Sequence, residues 1–395
     1  MLIGIVGKPS CGKSTFFKAA TLAEVETANY PFTTIKPNHA VGYVRVKCAE
    51  TFFNVKCNPR VGFCLSGERF VPIDLLDVAG LVPNAHKGEG KGLEFLNDLN
   101  QADALIHVID ASGSTDVKGN PVDALSYDPV NDIKFLEHEL DHWYLGILRK
   151  GWDRLARQIQ SEKAEPWKVL AKQLSGLGAD ENLCKAAIDI CALDPGKPSN
   201  WTEEQLFNLA AYLRAKTKPM IIAANKADIP GAEKNVRRLK EAFPDHRIIG
   251  CSAEAEFALR AAAKKGAIDY IPGEKTFSIK RELNDRQKHA LDFIKAFMEK
   301  EGTGIQQVLN AAVFDILKYM PIFPGGMNKL ADKDGNVLPD CFLIPEGSTA
   351  LDFAYRIHTD LGKGFIRAID VKKKQTVGKD YTLHSGDVIE IISDK

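Results

Sequence analysis

The fold of this chain is indicated by one stretch near its start, LIGIVGKPSCGKSTFFKAAT at residues 2–21. Residues 2–6 form a largely apolar run, which predicts a short buried strand. Residues 7–14 match the pattern G-x-x-x-x-G-K-[ST], and a helix-like pattern begins at residue 13. A strand, a glycine-rich turn and a helix in this order predict a loop whose backbone N–H groups surround a phosphate chain at the positive end of the helix.

This loop supplies most of the candidate binding residues. Lys13 is expected to contact the β- and γ-phosphates and to act in catalysis, and the Ser14 hydroxyl is expected to bind Mg²⁺. A glycine-rich turn without a ligand is the alternative, which the complete motif in its strand–helix context disfavours. The predicted nucleotide contacts in this stretch are Gly7, Lys8, Pro9, Ser10, Cys11, Gly12, Lys13, Ser14 and Thr15.

A second acidic motif follows a predicted strand at residues 70–78. Asp77-Val78-Ala79-Gly80 reads D-x-x-G. We expect Asp77 to hold Mg²⁺, usually through water, and the Gly80 N–H to meet a γ-phosphate during catalysis. The glycine-rich segment HKGEGKG at residues 86–92 predicts a switch loop that becomes ordered with a γ-phosphate; a flexible connector is the alternative.

A third candidate lies in Asn-Tyr-Pro-Phe-Thr-Thr-Ile at residues 29–35, between the first helix and a strand predicted at 39–46. A threonine hydroxyl here would complete the Mg²⁺ shell and sense the γ-phosphate. We select Thr34 rather than Thr33 for this metal-binding and catalytic role. The alternative is that both threonines only begin the strand.

Base selection is predicted after an apolar strand at residues 219–224. Asn225-Lys226-Ala227-Asp228 reads N-K-x-D. The Asp228 carboxylate can accept hydrogen bonds from N1–H and the 2-amino group of guanine, whereas adenine offers neither donor. The Lys226 stem can cover the purine face, and Asn225 can tie this loop to the phosphate loop. Backbone N–H groups of Ser252, Ala253 and Glu254, after a short strand at 247–250, could bind the guanine O6.

The remaining chain predicts a two-part architecture. Strands alternating with helices indicate an α/β domain with a mainly parallel sheet at residues 1–320. Its rhythm is broken at about 116–200, where helical spacing predicts an inserted helix pair. Helices are also predicted at 284–299 and 304–320. PIFPGG at 321–326 predicts a break and a boundary, after which residues 321–395 suit a small α+β domain.

Composition excludes several classes of protein. The chain has 395 residues, 45% hydrophobic, with 52 basic and 52 acidic side chains. This balance is typical of a globular protein. Because the charges cancel, the chain has no net charge that would favour binding to nucleic acid or to a membrane surface. No apolar run reaches the roughly 20 residues of a membrane span, and the start has no basic leader, so we expect no signal peptide. None of the eight cysteines forms a C-x-x-C pair, which predicts free thiols.

These residues resemble the Obg family of P-loop GTPases, in particular its YchF (Obg-like ATPase) branch. The phrases that carry the resemblance are GKPSCGKST, NYPFTT, DVAGLVPNAHKGEGKGLEFLNDL and NKAD. The C-terminal phrases LIPEGSTALDFAYRIHTDLGKGFIRAID and DYTLHSGDVIEI resemble a TGS domain. The resemblance implies a Ras-like core with a helical arm, a β-grasp-type TGS domain and a role near ribosomes or RNA.

Three departures from the branch matter. Many relatives have N-x-x-E at the base site and prefer ATP, whereas N-K-x-D here favours guanine. Leu81 stands where Ras-like switches carry a glutamine that orients water, so another group must do this. Ser10 stands where relatives often have an asparagine that helps to bind a stimulating K⁺, which puts K⁺ dependence in doubt.

The predicted function is Mg²⁺-dependent hydrolysis of GTP to GDP and phosphate by a molecular switch associated with the ribosome or RNA. Slow intrinsic turnover is expected, raised by a partner. An ATPase of the same fold is one alternative, and a nucleotide-dependent binding module with incidental hydrolysis is another. The run Lys372-Lys373-Lys374 is interpreted as a solvated turn rather than a phosphate site. We expect a cytoplasmic monomer with no DNA or membrane partner.

Overall fold

The computed structural model describes residues 1–21, 39–78 and 99–394. The chain forms two compact units. The first contains Met1–Phe17 and Leu75–Ala253, and the second contains Lys18–Asp74 and Glu254–Lys395. The domain division predicted at residue 320 stays a prediction.

The elements are numbered in chain order. The strands are β1 (Leu2–Val6), β2 (His39–Lys47), β3 (Phe63–Leu65), β4 (Glu68–Asp77), β5 (Ala104–Asp110), β6 (Met220–Asn225), β7 (Arg247–Gly250), β8 (Ile268–Asp269), β9 (Ser278–Ile279), β10 (Tyr319–Pro324), β11 (Phe342–Pro345), β12 (Phe365–Asp370), β13 (Gln375–Val377) and β14 (Val388–Ser393). The α-helices are α1 (Lys13–Thr21), α2 (Glu50–Phe53), α3 (Val130–Arg149), α4 (Trp152–Glu162), α5 (Pro166–Gln173), α6 (Glu181–Ile190), α7 (Glu203–Thr217), α8 (Ala232–Ala242), α9 (Ala253–Lys264), α10 (Asp285–Glu301), α11 (Ile305–Asn310), α12 (Ala350–Ile357) and α13 (Thr359–Lys363).

The first unit is built on a parallel sheet. β1 pairs with β5, β5 with β6, and β6 with β7, all in parallel. Every residue of β5 and β6 is buried, as expected where helices cover both faces of a parallel sheet. The predicted α/β fold is therefore confirmed. Because β1, β5 and β6 are parallel, the loops that follow them all begin at the carboxyl ends of the strands. Ligands bind at this end of open parallel sheets.

The helical insertion contains more than the predicted pair of helices. Between residues 116 and 200 the chain forms α3, α4, α5 and α6, so the predicted number was wrong. Apolar residues keep a helical spacing through this segment, so the sequence pattern does not reveal where one helix ends and the next begins. Gly151 (φ 78°) and Lys163 (φ 51°) adopt left-handed backbone conformations there. The insertion has its own core, in which the rings of Trp152 and Trp201 stack with centroids 5.3 Å apart.

The second unit contains two further groups of strands. β3 and β4 form an antiparallel hairpin, and β4 lies beside β2. The C-terminal strands form a five-stranded sheet in the order β11-β10-β14-β12-β13. Phe353 of α12 is fully buried in the core of this sheet. The predicted small α+β domain is confirmed as a fold.

The predicted break at PIFPGG was wrong. The helix predicted over 304–320 ends earlier, as α11 followed by a π-helix at Ala311–Ile316. Tyr319–Pro324 is then a strand of the C-terminal sheet. Both prolines of this strand, Pro321 and Pro324, lie where no neighbouring strand needs their missing N–H. Position 321 precedes the first pair with β14, and position 324 follows the last pair with β11.

No helix within the three described ranges is long and apolar enough to cross a membrane.

Candidate nucleotide-binding site

The phosphate loop connects β1 to α1 and is held in a conformation that requires its glycines. A Cβ at Gly7 would lie 2.4 Å from the Val108 carbonyl oxygen. Gly12 has φ +90°, and a Cβ there would lie 2.2 Å from Nδ2 of Asn225. Ser10 also has a positive φ, of 61°. Since glycine alone tolerates such close approach, the two glycines fix the path of the loop.

The front face of the loop consists of Lys13, Ser14 and Asp77. Lys13 and Ser14 begin α1, so their backbone N–H groups have no partner within the helix. The Lys13 Nζ lies 2.6 Å from Asp77 Oδ1. The Ser14 side chain is exposed. This face therefore presents helix N–H groups, a cation and oxygen ligands close together.

These oxygens suit a magnesium ion. Mg²⁺ prefers hydroxyl, carboxylate and phosphate oxygens. One oxygen of the Asp77 carboxylate already contacts a cation, the Lys13 ammonium. Ser14 and Asp77 are thus the described residues that could hold Mg²⁺. Thr34 and Gly80, which the sequence also predicted for this site, lie outside the described residues, as does Leu81.

The rear face of the loop is formed by Lys8, Thr115, Tyr127 and Asp132. The Lys8 side chain is almost fully buried. Its Nζ lies 3.0 Å from Asp132 Oδ2, donates to the Thr115 carbonyl at 2.9 Å and stands 3.9 Å from the centre of the Tyr127 ring. Burial raises the pKa of Asp132 to about 6, although Lys8 opposes the rise. Lys8 therefore anchors the loop, and only its backbone is available to a phosphate.

Asn225 joins the base-selection motif to the phosphate loop. Its Nδ2 donates to the Cys11 carbonyl at 3.0 Å, and its Oδ1 accepts from the Ala253 N–H at 3.0 Å. The predicted contact with the phosphate loop is therefore present. Asn225 is buried, so both hydrogen bonds are shielded from water.

Lys226 is held by a residue that sequence reasoning missed. Its backbone is left-handed, with φ 60°, and its Nζ donates to Asp110 Oδ2 at 2.8 Å. Asp110 is fully buried at the end of β5 and accepts further hydrogen bonds from Ser112, Ser114 and Thr115. Burial opposes ionisation, but Lys226 and the hydroxyls hold the pKa of Asp110 below its usual value. One sequence signal existed: a carboxylate ends an apolar strand and precedes Ser and Thr.

The other predicted base contacts are placed as follows. Asp228 is half-buried and lies in the turn that follows β6. Ser252 is buried, and Ala253 begins α9. Glu254 is exposed and is the first residue of this segment of the second unit.

A phosphate loop at a helix N-terminus, an acidic residue beside its lysine and an N-K-x-D loop tied to it define a P-loop nucleotide-binding protein. Comparison with known families agrees. Residues 2–138 match the family described as 50S ribosome-binding GTPase, residues 223–325 the Obg-like GTPase YGR210-like, G4 motif-containing domain, and residues 331–393 the TGS domain.

Similar proteins cover the whole chain. A GTP-binding protein of Methanocaldococcus jannaschii, described as uncharacterised, is 51% identical over 394 residues and 99% of both chains. The crystal structure of a GTP-binding protein from Pyrococcus horikoshii is 39% identical, covers 100% of both chains and has a TM-score of 0.78. The ribosome-binding ATPase YchF of Bacillus subtilis is 26% identical over 98% of this chain and 97% of its own.

The chain belongs to the YchF branch of the Obg-like P-loop GTPase family. It is a GTP-binding protein of that family with a C-terminal TGS domain. The family's general activity is hydrolysis of nucleoside triphosphates.

Proposed function

We propose that this protein hydrolyses GTP to GDP and phosphate, with Mg²⁺, as a molecular switch associated with the ribosome. The observation that carries the guanine assignment is the position of Asn225. Its two hydrogen bonds fix the N-K-x-D loop against Cys11 and Ala253. The Asp228 carboxylate is thereby held at a set distance from the phosphate loop, as recognition of one base requires.

The hydrolytic step is assigned to the front face of the phosphate loop. Phosphoryl transfer depends on positioning and on stabilising the charge of the transferred group. Backbone N–H groups at the start of α1 and the Lys13 ammonium would supply that stabilisation. Mg²⁺, when bound by Ser14 and Asp77, would add charge neutralisation at the β- and γ-phosphates. Thr34 and Gly80 remain our proposals for γ-phosphate sensing.

Binding of nucleotide requires the Lys13–Asp77 ion pair to rearrange. Lys13 must leave the 2.6 Å contact with Asp77 to reach a phosphate. The Asp77 carboxylate would then be free to help hold Mg²⁺, directly or through water. This exchange predicts that nucleotide affinity depends on Mg²⁺ through Asp77, and that Asp77→Asn weakens that dependence.

The ribosome is proposed as the partner on the basis of similarity. The Bacillus subtilis relative is described as ribosome-binding, and residues 2–138 match a family described as 50S ribosome-binding. The run Lys372–Lys374 does not support direct RNA contact, because Lys372 donates to the Gly386 carbonyl and Lys373 pairs with Asp370. A cytoplasmic monomer is part of the same proposal.

A change of base preference tests the guanine assignment. In Asp228→Asn the side-chain amide can donate to the 2-oxo group of xanthine but cannot accept from the 2-amino group of guanine as a carboxylate does. We expect GDP affinity to fall about a hundredfold, or about 2.7 kcal/mol, and xanthosine diphosphate affinity to rise. Asp245→Asn, on the loop before β7, is the control. Unchanged GDP binding in Asp228→Asn would contradict the assignment.

Hydrolysis with and without ribosomes separates the alternatives. A switch should turn over GTP slowly alone and faster with ribosomes. A preference for ATP, as the name of the Bacillus subtilis relative indicates for that protein, would favour the ATPase alternative. Ribosome binding that depends on bound nucleotide but leaves hydrolysis unchanged would favour a binding module.

A further inference from the structure

A cluster of thiols in the second unit is separate from the nucleotide-binding residues. It consists of Cys48, Glu50, Cys57 and Cys64, whose three sulfur atoms and one Glu50 carboxylate oxygen all lie within 4.8 Å of one another. Cys48 follows β2, Glu50 begins α2, and Cys64 lies in β3. Asn54, with φ 50°, ends α2 and turns the chain back toward Cys57. We call these four residues the thiol cluster.

Two distances within the cluster are close to those of a tetrahedral ligand set. Zinc–sulfur bonds of about 2.3 Å at tetrahedral angles place two sulfurs about 3.8 Å apart, and a sulfur and an oxygen ligand about 3.5 Å apart. The Cys48 and Cys57 sulfurs are 3.7 Å apart, and the Cys64 sulfur lies 3.2 Å from Glu50 Oε1. A disulfide would need a sulfur–sulfur distance of about 2.05 Å.

A backbone hydrogen bond orients the Glu50 carboxylate. Glu50 Oε2 accepts a hydrogen bond from the backbone N–H of Cys57 at 2.8 Å. The other carboxylate oxygen, Oε1, faces the Cys64 sulfur. Cys48 and Cys57 are also buried, which excludes water and is typical of a closed structural site rather than a catalytic one.

Arg69 shows that the cluster is suited to negative charge. Its side chain is fully buried, with Nη1 3.5 Å from the Cys57 sulfur and Nη2 donating to the carbonyls of Leu338 and Pro339. Among the described residues no carboxylate pairs with it. Because a guanidinium stays charged and is costly to bury alone, anionic sulfur would compensate it. Donors to ligand sulfurs commonly support metal sites in this way.

We propose that Cys48, Cys57, Cys64 and Glu50 bind one Zn²⁺ ion as a structural site. Three thiolates and a carboxylate complete four-coordinate zinc, and Arg69 offsets part of the negative charge of the complex. Binding displaces three thiol protons to solvent and involves no change of oxidation state. The odd number of cysteines and the carboxylate favour zinc over a disulfide, which would leave one thiol unused.

Metal analysis of the full chain tests the site. The protein is purified without an affinity tag or added chelator, and zinc is measured by mass spectrometry. We expect about one zinc per chain. Cys57→Ser and Cys64→Ser should each lose at least about four-fifths of the zinc, whereas Cys191→Ser, just after α6, should retain it. A chain that carries no zinc, and binds none when zinc is added, would overturn the proposal.

Cobalt substitution covers the case in which a cysteine variant fails to fold. Co²⁺ added to metal-free wild-type protein should give the intense visible bands of tetrahedral cobalt and a thiolate charge-transfer band in the near ultraviolet. Glu50→Gln should shift the visible bands while keeping the charge-transfer band. Weak octahedral bands, or a Cys48–Cys57 disulfide in peptides from freshly purified protein, would contradict the zinc site.

Discussion

The phosphate loop has two lysines five residues apart, and their surroundings differ. On the rear face, Lys8 is buried against Asp132, Thr115 and the ring of Tyr127. On the front face, Lys13 is partly exposed and contacts Asp77. Lys8 is enclosed by its partners, whereas Lys13 can exchange Asp77 for a ligand. One face holds the loop in shape, and the other can bind a ligand.

The largest effect is expected on the front face. Lys13→Met removes the ammonium proposed to contact the phosphates. We expect GTP affinity to fall about a thousandfold, or about 4.1 kcal/mol, as measured by titration calorimetry. The free energy of unfolding should change less than on loss of Lys8, because the Lys13 and Asp77 side chains are 13% and 20% exposed, whereas those of Lys8 and Asp132 are each only 3% exposed. A loss of stability with unchanged affinity would reverse the comparison between the faces.

The rear face should respond in the opposite way. Lys8→Met leaves Asp132 buried without its cation, which should cost about 3 kcal/mol of unfolding free energy near pH 7.5. The measurement is urea denaturation. Lys118→Met, in the loop after β5, is an exposed control.

The rear-face effect should also depend on pH. The folded pKa of Asp132, about 6, lies above its unfolded value of about 3.9. The folded chain therefore binds more protons between these values, and the contribution of Asp132 to stability falls as pH rises from about 4 to 6. Since a neutral carboxyl needs no cation, Lys8→Met should cost less at pH 5 than at pH 7.5. An equal cost at both pH values would contradict burial of the charged pair.

Gly12→Ala should disturb the contact between the phosphate loop and Asn225, with a smaller effect than either lysine substitution. The new Cβ would meet Asn225 Nδ2 in a backbone conformation that disfavours alanine. Gly178→Ala is a matched control, since Gly178 also has positive φ, of 81°, but a Cβ at that position would have nothing within 4 Å. We expect Gly12→Ala to destabilise the fold by about 1–2 kcal/mol more than its control, by thermal unfolding, and to weaken GDP binding. Equal losses would show that backbone strain alone is responsible.

The smallest effect is expected at the base loop. Lys226→Met removes one of the donors to Asp110, but the hydroxyls of Ser112, Ser114 and Thr115 remain. GDP affinity should fall about tenfold, or about 1.4 kcal/mol, in fluorescence titrations. A hundredfold loss would mean that the Lys226 ammonium, and not only its stem, acts on the nucleotide.

Local patterns predicted the parts of the molecule that are continuous in the chain. The buried strands are apolar runs, and the phosphate loop is a contiguous motif. The Lys8–Asp132 and Lys226–Asp110 pairs were missed because folding joins residues more than 100 positions apart in sequence. The thiol cluster lies within residues 48–64, but the spacing of its cysteines contains no C-x-x-C pair. PIFPGG was misjudged because proline disfavours only strand positions that need its N–H, and the register with β11 and β14 decides those positions.

Asp228 is proposed to select guanine. Equilibrium binding of fluorescent GDP and ADP analogues to the purified protein, at equal Mg²⁺, tests this assignment. We expect a preference for GDP of about a hundredfold or more, or about 2.7 kcal/mol. Equal or tighter binding of ADP would show that Asp228 does not recognise the base and would overturn the guanine assignment.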